Sequence, residues 1–303
     1  MELKNKLTKK IFSKKKEKKP ETFQEQVFSL LKILPQAILF VMIINGLALA
    51  SFVVPTGSMM NTVMPGDFLF VNRFKYGPTT PQIIPFVNIP LPYYKFPGFW
   101  SPQVDDVIVF VYPGNKNEIK SKEFMYYLKR CVAVAGDSLR VDGKNIYVNG
   151  NLIDSPEYGQ KITPNNNKPA GYPVGTRQTL DNYSIYVPKK GDTIAINSFN
   201  IREWDIFIKR EGHEVTYDML NKKVIVDGVA ITEYIVERDY CFGIGDNQDN
   251  STDSRIFGFI PYENVVGTPM VVYWSWLPDG NVIKNFKEKF TSIRWERLGN
   301  IIL

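Results

Sequence analysis

The stretch SLRVDGKNIYVNGNLI (residues 138–153) contains three short runs in which apolar and polar residues alternate, and the runs are separated by DGK and NGN. Alternation of this kind is typical of strands with one buried face. Gly and Asn adopt the positive φ angles that tight hairpin turns require. The stretch therefore predicts two successive β-hairpins.

Similar β-branched and aromatic runs recur on both sides of this stretch. They are DFLFVNRF (67–74), DDVIVFVYP (105–113), YYLKRCVAVAG (126–136), KVIVDGVAI (223–231), YCFGIGD (240–246) and VVGTPMVVYWSW (265–276). In this part of the chain only REWDIFIKRE (202–211) predicts a helix. So many short strands bounded by Gly and Pro predict a mainly β fold rather than a parallel βαβ fold.

The strand pattern weakens between residues 155 and 200, where loop sequences such as TPNNNKPAGYPVG are frequent. We therefore expect an inserted smaller β subdomain over residues 155–232. The flanking segments, 55–154 and 233–303, would then form one β core. A chain of 303 residues is long enough for this arrangement.

An uncharged, largely apolar segment over residues 33–54 precedes the first predicted strand. As a helix it would span about 33 Å, close to the thickness of a hydrocarbon core. We predict a single transmembrane anchor over residues 27–54. A buried core helix would be more amphipathic. A cleaved signal peptide is the other alternative, because Ala48-Leu49-Ala50 resembles a cleavage site, but its apolar region would be shorter.

A basic tail over residues 1–26 precedes the predicted anchor. Most of its charge comes from nine lysines in the first nineteen residues, against Glu2 and Glu17, so the rest of the chain is near neutral. A basic tail can contact nucleic acid or fix membrane topology. Because an apolar segment follows the tail, we favour a role in membrane topology over contact with nucleic acid, with the N-terminus in the cytoplasm. We expect no nucleic-acid partner.

Histidine and cysteine are scarce in this chain. Cys131 and Cys241 form neither a disulfide framework nor a metal cluster, and a single bridge between them stays open. His213 lies among charged residues in REGHEV, as a solvated surface histidine would. A histidine base or a His-ligated metal would depend on that one residue, so we predict no metal site.

Residues 85–100, PFVNIPLPYYKFPGFW, combine several prolines with six aromatic residues. The prolines exclude a regular helix. An exposed loop this aromatic suits a membrane interface. The alternative is a loop packed on its own domain, and the sequence does not decide between the two.

The stretch PTGSMMNTVMPGD (55–67) places Ser58 directly after the apolar segment. A serine becomes a nucleophile only when a base accepts its proton. Because histidine is scarce, lysine is the natural base, provided that burial lowers its pKa. Lys129 is flanked by apolar strand residues and would share a face with Tyr127 and Cys131. The alternative is an ordinary lysine on a solvent face.

A third stretch, GDNQDNSTDSR (245–255), is dense in Asp and Asn and superficially suggests a calcium loop. An EF-hand loop needs Gly at its sixth position and Glu at its twelfth, and neither is present. A solvated turn is the other simple interpretation.

Together, GSMMNTVMPGD (57–67), YLKRCVAVAGD (127–137) and GDNQDNSTDSRIFGFIP (245–261) resemble the bacterial type I signal peptidases. The resemblance covers most of residues 27–303. It implies a β-rich catalytic domain that removes signal peptides from exported preproteins after small-x-small sequences, without a cofactor. It also implies a single-pass protein of the bacterial inner membrane, with membrane lipid as a partner and the catalytic domain on the exported side. We expect a monomer.

The resemblance assigns roles to six residues. Ser58 matches the family's nucleophile and Lys129 its general base. Thr56 matches the hydroxyl residue that completes the oxyanion hole with the Ser58 backbone N–H. Ser251 matches a serine that hydrogen-bonds the lysine, and Asp253 and Arg255 match a structural ion pair.

The chain departs from the family pattern at Asn61, Val63, Ala133, Ala135 and Gln248. None of these changes removes a group from the Ser58–Lys129 pair. Two other functions share some of these features. A self-cleaving repressor-type protease shares the Ser/Lys pair but carries a DNA-binding domain where this chain has an anchor. A non-catalytic, membrane-anchored binding module would require the loss or misplacement of Ser58 or Lys129.

Overall fold

The computed structural model describes residues 22–84, 89–153, 168–278 and 290–302. The chain divides into two compact units, residues 1–42 and 43–303. The basic tail lies outside the described residues, apart from 22–26. The mainly β fold predicted from the strand pattern is confirmed.

Helix α1 (Phe23–Leu47) is apolar and contains Pro35. Its segment Val27–Leu47 is long and apolar enough to cross a membrane. The predicted anchor over 27–54 is therefore wrong at its C-terminal end, because Leu49–Val53 forms strand β1 instead of a further helical turn. A continuous apolar run does not distinguish a helix from a strand, and the β-branched end of this run favours the strand.

The described strands, in chain order, are β1 (Leu49–Val53), β2 (Asp67–Asn72), β3 (Ile83–Ile84), β4 (Ile89–Pro90), β5 (Val107–Val111), β6 (Tyr126–Ala133), β7 (Ser138–Asp142), β8 (Asn145–Val148), β9 (Asn151–Ile153), β10 (Asn182–Tyr186), β11 (Thr193–Ala195), β12 (Val215–Asp218), β13 (Lys223–Val226), β14 (Val229–Ile231), β15 (Glu233–Ile235), β16 (Tyr240–Ile244), β17 (Ile260–Pro261) and β18 (Val265–Ser275). The other α-helices of the described residues are α2 (Ile201–Arg210), which REWDIFIKRE predicts, and the one-turn α3 (Ser254–Phe257).

The main sheet has seven strands in the order β1-β2-β18-β5-β6-β16-β17, and its neighbours are antiparallel. β1 is an end strand. β6 pairs with β5 over residues 126–130, whereas it pairs with β16 only over residues 130–133. Among the described residues, the first half of β6 therefore has a sheet neighbour on one side only.

The two predicted hairpins form β7, β8 and β9, and the turns use positive φ angles at Gly143, Asn149 and Gly150. These strands join β10 in a separate four-stranded sheet, and β11 pairs with β15. Each predicted subdomain limit therefore cuts through a sheet: position 155 separates β7–β9 from β10, and position 232 separates β11 from β15. From the strand pairing, we propose that the smaller β region comprises approximately residues 138–235.

The apolar cluster beneath the loop that joins β1 to β2 combines residues of three strands with three residues of the loop itself and one of the C-terminal segment. Its buried members are Val54, Met59, Val63, Leu69, Val71, Val107, Val109, Val266, Val272 and Ile302. Met59 and Val63 are almost completely buried, so they fix the loop from within. This packing holds the segment that carries Ser58.

Asp67 is a carboxylate at a core-facing position of β2, and it is completely buried. It accepts hydrogen bonds from Arg297 at 2.6 Å, Arg294 at 3.0 Å and Ser275 at 2.7 Å. The two arginines come from the C-terminal segment 290–302. Asp67 therefore ties that segment to β2 at the base of the Ser58 loop.

We predict that Asp67→Asn lowers the free energy of unfolding by about 3–5 kcal/mol, because it leaves two arginines beside an uncharged partner. Chemical denaturation of the detergent-solubilised protein, followed by near-UV circular dichroism, measures the change. The control is Asp205→Asn, which removes a partly exposed helical pair with Lys209 and should cost below about 1 kcal/mol. An equally small loss for Asp67→Asn would contradict the structural role of this cluster.

Candidate active site

Ser58 lies in the loop between β1 and β2. The Val54 N–H donates to the Asp67 carbonyl at 2.8 Å and closes the base of the loop. Met59 and Val63 point into the apolar cluster, whereas Ser58 remains half-buried. The loop therefore presents the serine hydroxyl while its flanking residues are held in the core.

Lys129 lies in the middle of β6, and its amine reaches the serine. The Nζ atom is 2.8 Å from Ser58 Oγ and 2.9 Å from the carbonyl oxygen of Leu128. Lys129 is only 3% exposed. The structure thus brings together the serine and the lysine that the sequence separates by 71 positions.

Burial lowers the pKa of the Lys129 amine from its ordinary 10.5 to about 8, because an ammonium loses its hydration in an apolar site. The negative charges of Asp253 and Asp246 oppose this shift but do not cancel it. About a tenth of the molecules therefore carry a neutral amine at pH 7, and about half at pH 8.

Arg130, the next residue of β6, connects the strand to a buried carboxylate. Its Nε and Nη2 atoms donate to Asp246, each at 2.9 Å, and its Nη1 donates to Asp105 at 2.9 Å. Asp246 also accepts a hydrogen bond from the Thr62 hydroxyl. Asp246 therefore joins β6 to the loop that carries Ser58.

Asp253 and Arg255, the predicted ion pair, are in contact and completely buried. Two charge-assisted hydrogen bonds of 2.9 and 2.7 Å join them. Burial alone would raise the pKa of the Asp253 carboxyl, but the charge and hydrogen bonds of Arg255 outweigh burial and hold it below its usual range. Arg255 also donates to the carbonyls of Leu180 and Gln248. The pair thus fastens the 245–255 segment to the smaller β region.

A family model described as signal peptidase, peptidase S26, matches residues 27–274. The chain belongs to the S26 signal peptidase family. A signal peptidase I of Helicobacter pylori (strain 26695) is 29% identical over 263 residues, covering 82% of this chain and 83% of that protein. A signal peptidase I of Pseudomonas fluorescens is 28% identical over 247 residues, covering 78% and 68%.

A crystal structure of a signal peptidase I from Enterococcus faecalis V583 is 16% identical, with a TM-score of 0.28; it covers 56% of this chain and 97% of that chain. This TM-score is too low to support a structural argument. The family match and the named relatives are sufficient: this signal peptidase is a serine endopeptidase that removes signal peptides. Its apolar helix α1 fits a membrane-anchored protein.

Thr56 is exposed, two residues before Ser58. Within the described residues, the Ser58 backbone N–H donates no hydrogen bond. The Ser251 Oγ is buried near Asp253, and it helps to hold the pKa of that carboxyl below its usual range. The Lys129 amine donates to Ser58 and Leu128 instead. The hydrogen bond from Ser251 to the lysine, which the resemblance implies, is therefore not formed here.

Two departures from the signal peptidase pattern have a structural explanation. Asn61 has φ of +81°, a left-handed conformation that proline cannot adopt because its ring fixes φ near −65°. Val63 is completely buried in the cluster that holds the loop. Both changes concern the backbone and packing of the Ser58 loop, and neither removes a group from the Ser58–Lys129 pair.

Sequence reasoning missed Asp246 and Asn247, although it singled out the stretch that contains them. The Asn247 backbone N–H donates to the Ser58 carbonyl at 3.0 Å, and its Nδ2 donates to the Gly57 carbonyl at 2.9 Å. No periodicity or composition announces such contacts, because they join loops 190 positions apart.

The two cysteines and the histidine do not take part in the contact between Ser58 and Lys129. Cys131 and Cys241 are buried and free, so no bridge joins them. The His213 ring contacts Asp227 at 2.6 Å and Glu237 at 3.0 Å in the smaller β region. Among the described residues, no group of three or more His, Cys, Asp or Glu side chains is placed to hold a metal ion.

We predict that Lys129→Met stabilises the protein at pH 7. The lysine pKa is lower in the folded than in the unfolded state, so below pH 8 the folded protein carries an unfavourable buried charge. Wild-type stability should rise as pH increases from about 8 to 10.5, where the unfolded state binds more protons. We expect a gain of about 1–3 kcal/mol at pH 7, after allowance for lost hydrogen bonds.

Thermal or chemical unfolding at several pH values measures this difference. The gain for Lys129→Met should vanish by about pH 10.5. The exposed Lys190 gives the matched control, and Lys190→Met should show no such pH dependence. A Lys129→Met protein that is less stable than wild type at pH 7 would show that the buried amine is not strained by desolvation.

Proposed function

We propose that this enzyme removes signal peptides with a Ser58–Lys129 dyad, in which Ser58 is the nucleophile and neutral Lys129 the general base. The observation that carries the proposal is the 2.8 Å contact between Nζ and Oγ at a buried lysine. Burial supplies the neutral amine that the chemistry needs. His213 contacts Asp227 and Glu237 in another region, which leaves lysine as the base.

In the first step, the neutral Lys129 amine accepts the Ser58 hydroxyl proton while Oγ attacks the carbonyl carbon of the scissile peptide bond. The resulting ammonium then gives this proton to the departing amine of the mature protein. An ester between Ser58 and the signal peptide remains. Lys129 next accepts a proton from water while the water oxygen attacks the ester carbon. The Lys129 ammonium then returns this proton to Ser58 Oγ as the ester bond breaks, which releases the signal peptide and restores the serine hydroxyl and the neutral amine.

The tetrahedral intermediate carries a negative oxygen that must be stabilised. We assign this role to the Ser58 backbone N–H and the Thr56 hydroxyl. Both groups belong to the Ser58 loop, and the N–H has no acceptor among the described residues. Ser251 retains a proposed supporting role near Lys129, and the Asp253–Arg255 pair a structural one.

The substrate segment would bind as an extended strand between two free strand edges. β1 is an end strand of the sheet, and residues 126–129 of β6 lack a neighbour on the β16 side. Phe52 of β1 and Tyr126 of β6 face each other, with ring centroids 4.8 Å apart. A peptide can add to such edges through main-chain hydrogen bonds.

An extended binding mode accounts for the small-x-small preference. Residues one and three positions before the cleaved bond point to the same face of a strand. That face would meet the apolar cluster around Val54, Met59 and Leu69, which is already closely packed. Large side chains at those two positions would therefore be excluded.

We propose that the enzyme is a single-pass protein of the bacterial inner membrane, with a cytoplasmic N-terminus, an exported catalytic domain and no obligatory partner subunit. The basic tail and α1 support this topology. An anchored enzyme also meets membrane-tethered substrates at a raised effective concentration.

The aromatic loop supports an interfacial position for the catalytic domain. Residues 85–88 lie outside the described residues, but Tyr94, Phe99 and Trp100 are each more than half exposed. The Thr79 N–H, at the base of this loop, donates to the Gly46 carbonyl near the end of α1. An exposed aromatic surface beside the end of the anchor favours contact with lipid over packing on the domain.

Cleavage of a preprotein by the purified enzyme tests the dyad. Ser58→Ala and Lys129→Arg should each abolish cleavage, because arginine stays protonated and cannot accept the serine proton. The wild-type kcat/KM should rise with pH through an apparent pKa near 8, as the neutral amine forms.

Lys95 provides a matched control, because burial lowers its pKa to about 8 as well. Its amine donates to three backbone carbonyls, of Tyr262, Glu263 and Val265, rather than to Ser58. Lys95→Arg should leave both the activity and the midpoint of the pH profile unchanged. Substantial cleavage by a folded Ser58→Ala protein would refute the assignment of Ser58 as the nucleophile. A shift of the midpoint of the pH profile in Lys95→Arg, with no shift caused by Lys129, would refute the assignment of that midpoint to Lys129.

A further inference from the structure

Asn247 contacts two consecutive carbonyls of the Ser58 loop. Its side-chain Nδ2 donates to the Gly57 carbonyl at 2.9 Å, and its backbone N–H donates to the Ser58 carbonyl at 3.0 Å. Asn247 is only 8% exposed. A rigid, buried residue of the 245–255 segment therefore holds the backbone on both sides of the nucleophile's α-carbon.

The first of these contacts has a consequence for the Ser58 N–H, because Gly57 C=O and Ser58 N–H belong to the same peptide unit. That unit is planar and trans, so its C=O and N–H point in opposite directions. A donor that fixes the carbonyl on one side therefore aims the N–H to the other side. The Ser58 N–H has no acceptor among the described residues, as an oxyanion donor requires in the free enzyme.

The residue at position 57 makes this support necessary. Glycine has the largest backbone freedom of any residue, so the peptide unit that follows it can rotate at little cost. Neither Gly57 nor Ser58 belongs to a helix or a strand that would fix this unit. Within the loop, the Met60 N–H donates to the Gly57 carbonyl at 3.1 Å. The Asn247 amide adds a second donor from outside the loop, and it also polarises the peptide unit so that its N–H is a better donor.

We propose that Asn247 is a positioning residue that aims the Ser58 backbone N–H at the oxyanion of the tetrahedral intermediate. The proposal rests on the proposed function of Ser58 as the nucleophile. Asn247 acts through the Gly57–Ser58 peptide unit and does not touch the substrate. Its effect therefore appears in the transition state, where negative charge develops on the substrate oxygen, rather than in substrate binding.

Two substitutions of Asn247 remove the donor in different ways. Asn247→Asp keeps the shape of the side chain but replaces Nδ2 by an oxygen, which repels the Gly57 carbonyl. Asn247→Ala removes the donor without adding charge. The matched control is Asn250→Asp, which makes the same change three residues away at an exposed side chain.

Steady-state cleavage of a fluorogenic signal-peptide substrate by the full-length enzyme in detergent gives the first readout. We expect kcat to fall about 10- to 100-fold in both Asn247 variants, with KM within about twofold of wild type; complete loss of one oxyanion donor costs roughly 10²–10³. Asn250→Asp should behave as wild type. Near-UV circular dichroism establishes that each variant is folded.

The second readout is inhibition by a peptide aldehyde with the same residues before the reactive carbon. Ser58 Oγ adds to the aldehyde carbon, and its proton passes through Lys129 to the carbonyl oxygen, so a hemiacetal forms with its oxygen in the oxyanion position. The inhibition constant should rise by about the same factor as kcat/KM falls. A general loss of structure would not raise the inhibition constant and lower kcat/KM by the same factor while KM stays unchanged.

Normal kcat in a folded Asn247→Asp or Asn247→Ala protein would overturn the proposal, as would a loss confined to KM. Ser58→Ala, measured alongside, separates the two levels of inference. If Ser58→Ala is active, the proposed function fails. If Ser58→Ala is inactive while both Asn247 variants are fully active, only the role of Asn247 fails.

Discussion

The proposed chemistry depends on one buried amine, because Lys129 Nζ is enclosed by the sheet while it lies 2.8 Å from Ser58 Oγ. Removing an ammonium from water is unfavourable, and its pKa falls to about 8 as a result. Two nearby carboxylates, Asp253 and Asp246, oppose the shift, but each is already paired with an arginine. These ion pairs fix the surrounding loops without restoring the ordinary pKa of the lysine.

An interruption in strand pairing accounts for both the site and its access. β16 pairs with β6 only as far as Arg130, and Gly243 allows the close approach, since a Cβ there would lie 3.0 Å from the Lys129 Cβ. After β16 the chain leaves the sheet, and the segment that follows holds the Ser58 loop through Asn247. Among the described residues, the same departure leaves residues 126–129 of β6 without a strand neighbour on the β16 side, where we propose that the substrate binds.

Local patterns predicted much of this arrangement. Alternation gave the hairpins of β7 to β9, and the apolar neighbours of Lys129 made it the candidate for a buried lysine, although the spacing alone left a solvent-exposed lysine open. Local patterns did not predict the end of α1, because the apolar run continues into β1 without a break in hydrophobicity. They also missed the contacts of Asp67 and Asn247, which join segments far apart in the chain. Such contacts depend on tertiary packing, to which neither periodicity nor residue type points.

The most direct test of the central claim is the ionisation of Lys129 itself. NMR titration of the enzyme with lysines labelled at Cε and Nζ would follow this group, and the Lys129→Arg protein would assign its signal. We expect a midpoint near pH 8 for Lys129. A Lys129 signal that remains that of an ammonium up to about pH 10, as for an ordinary lysine, would contradict it.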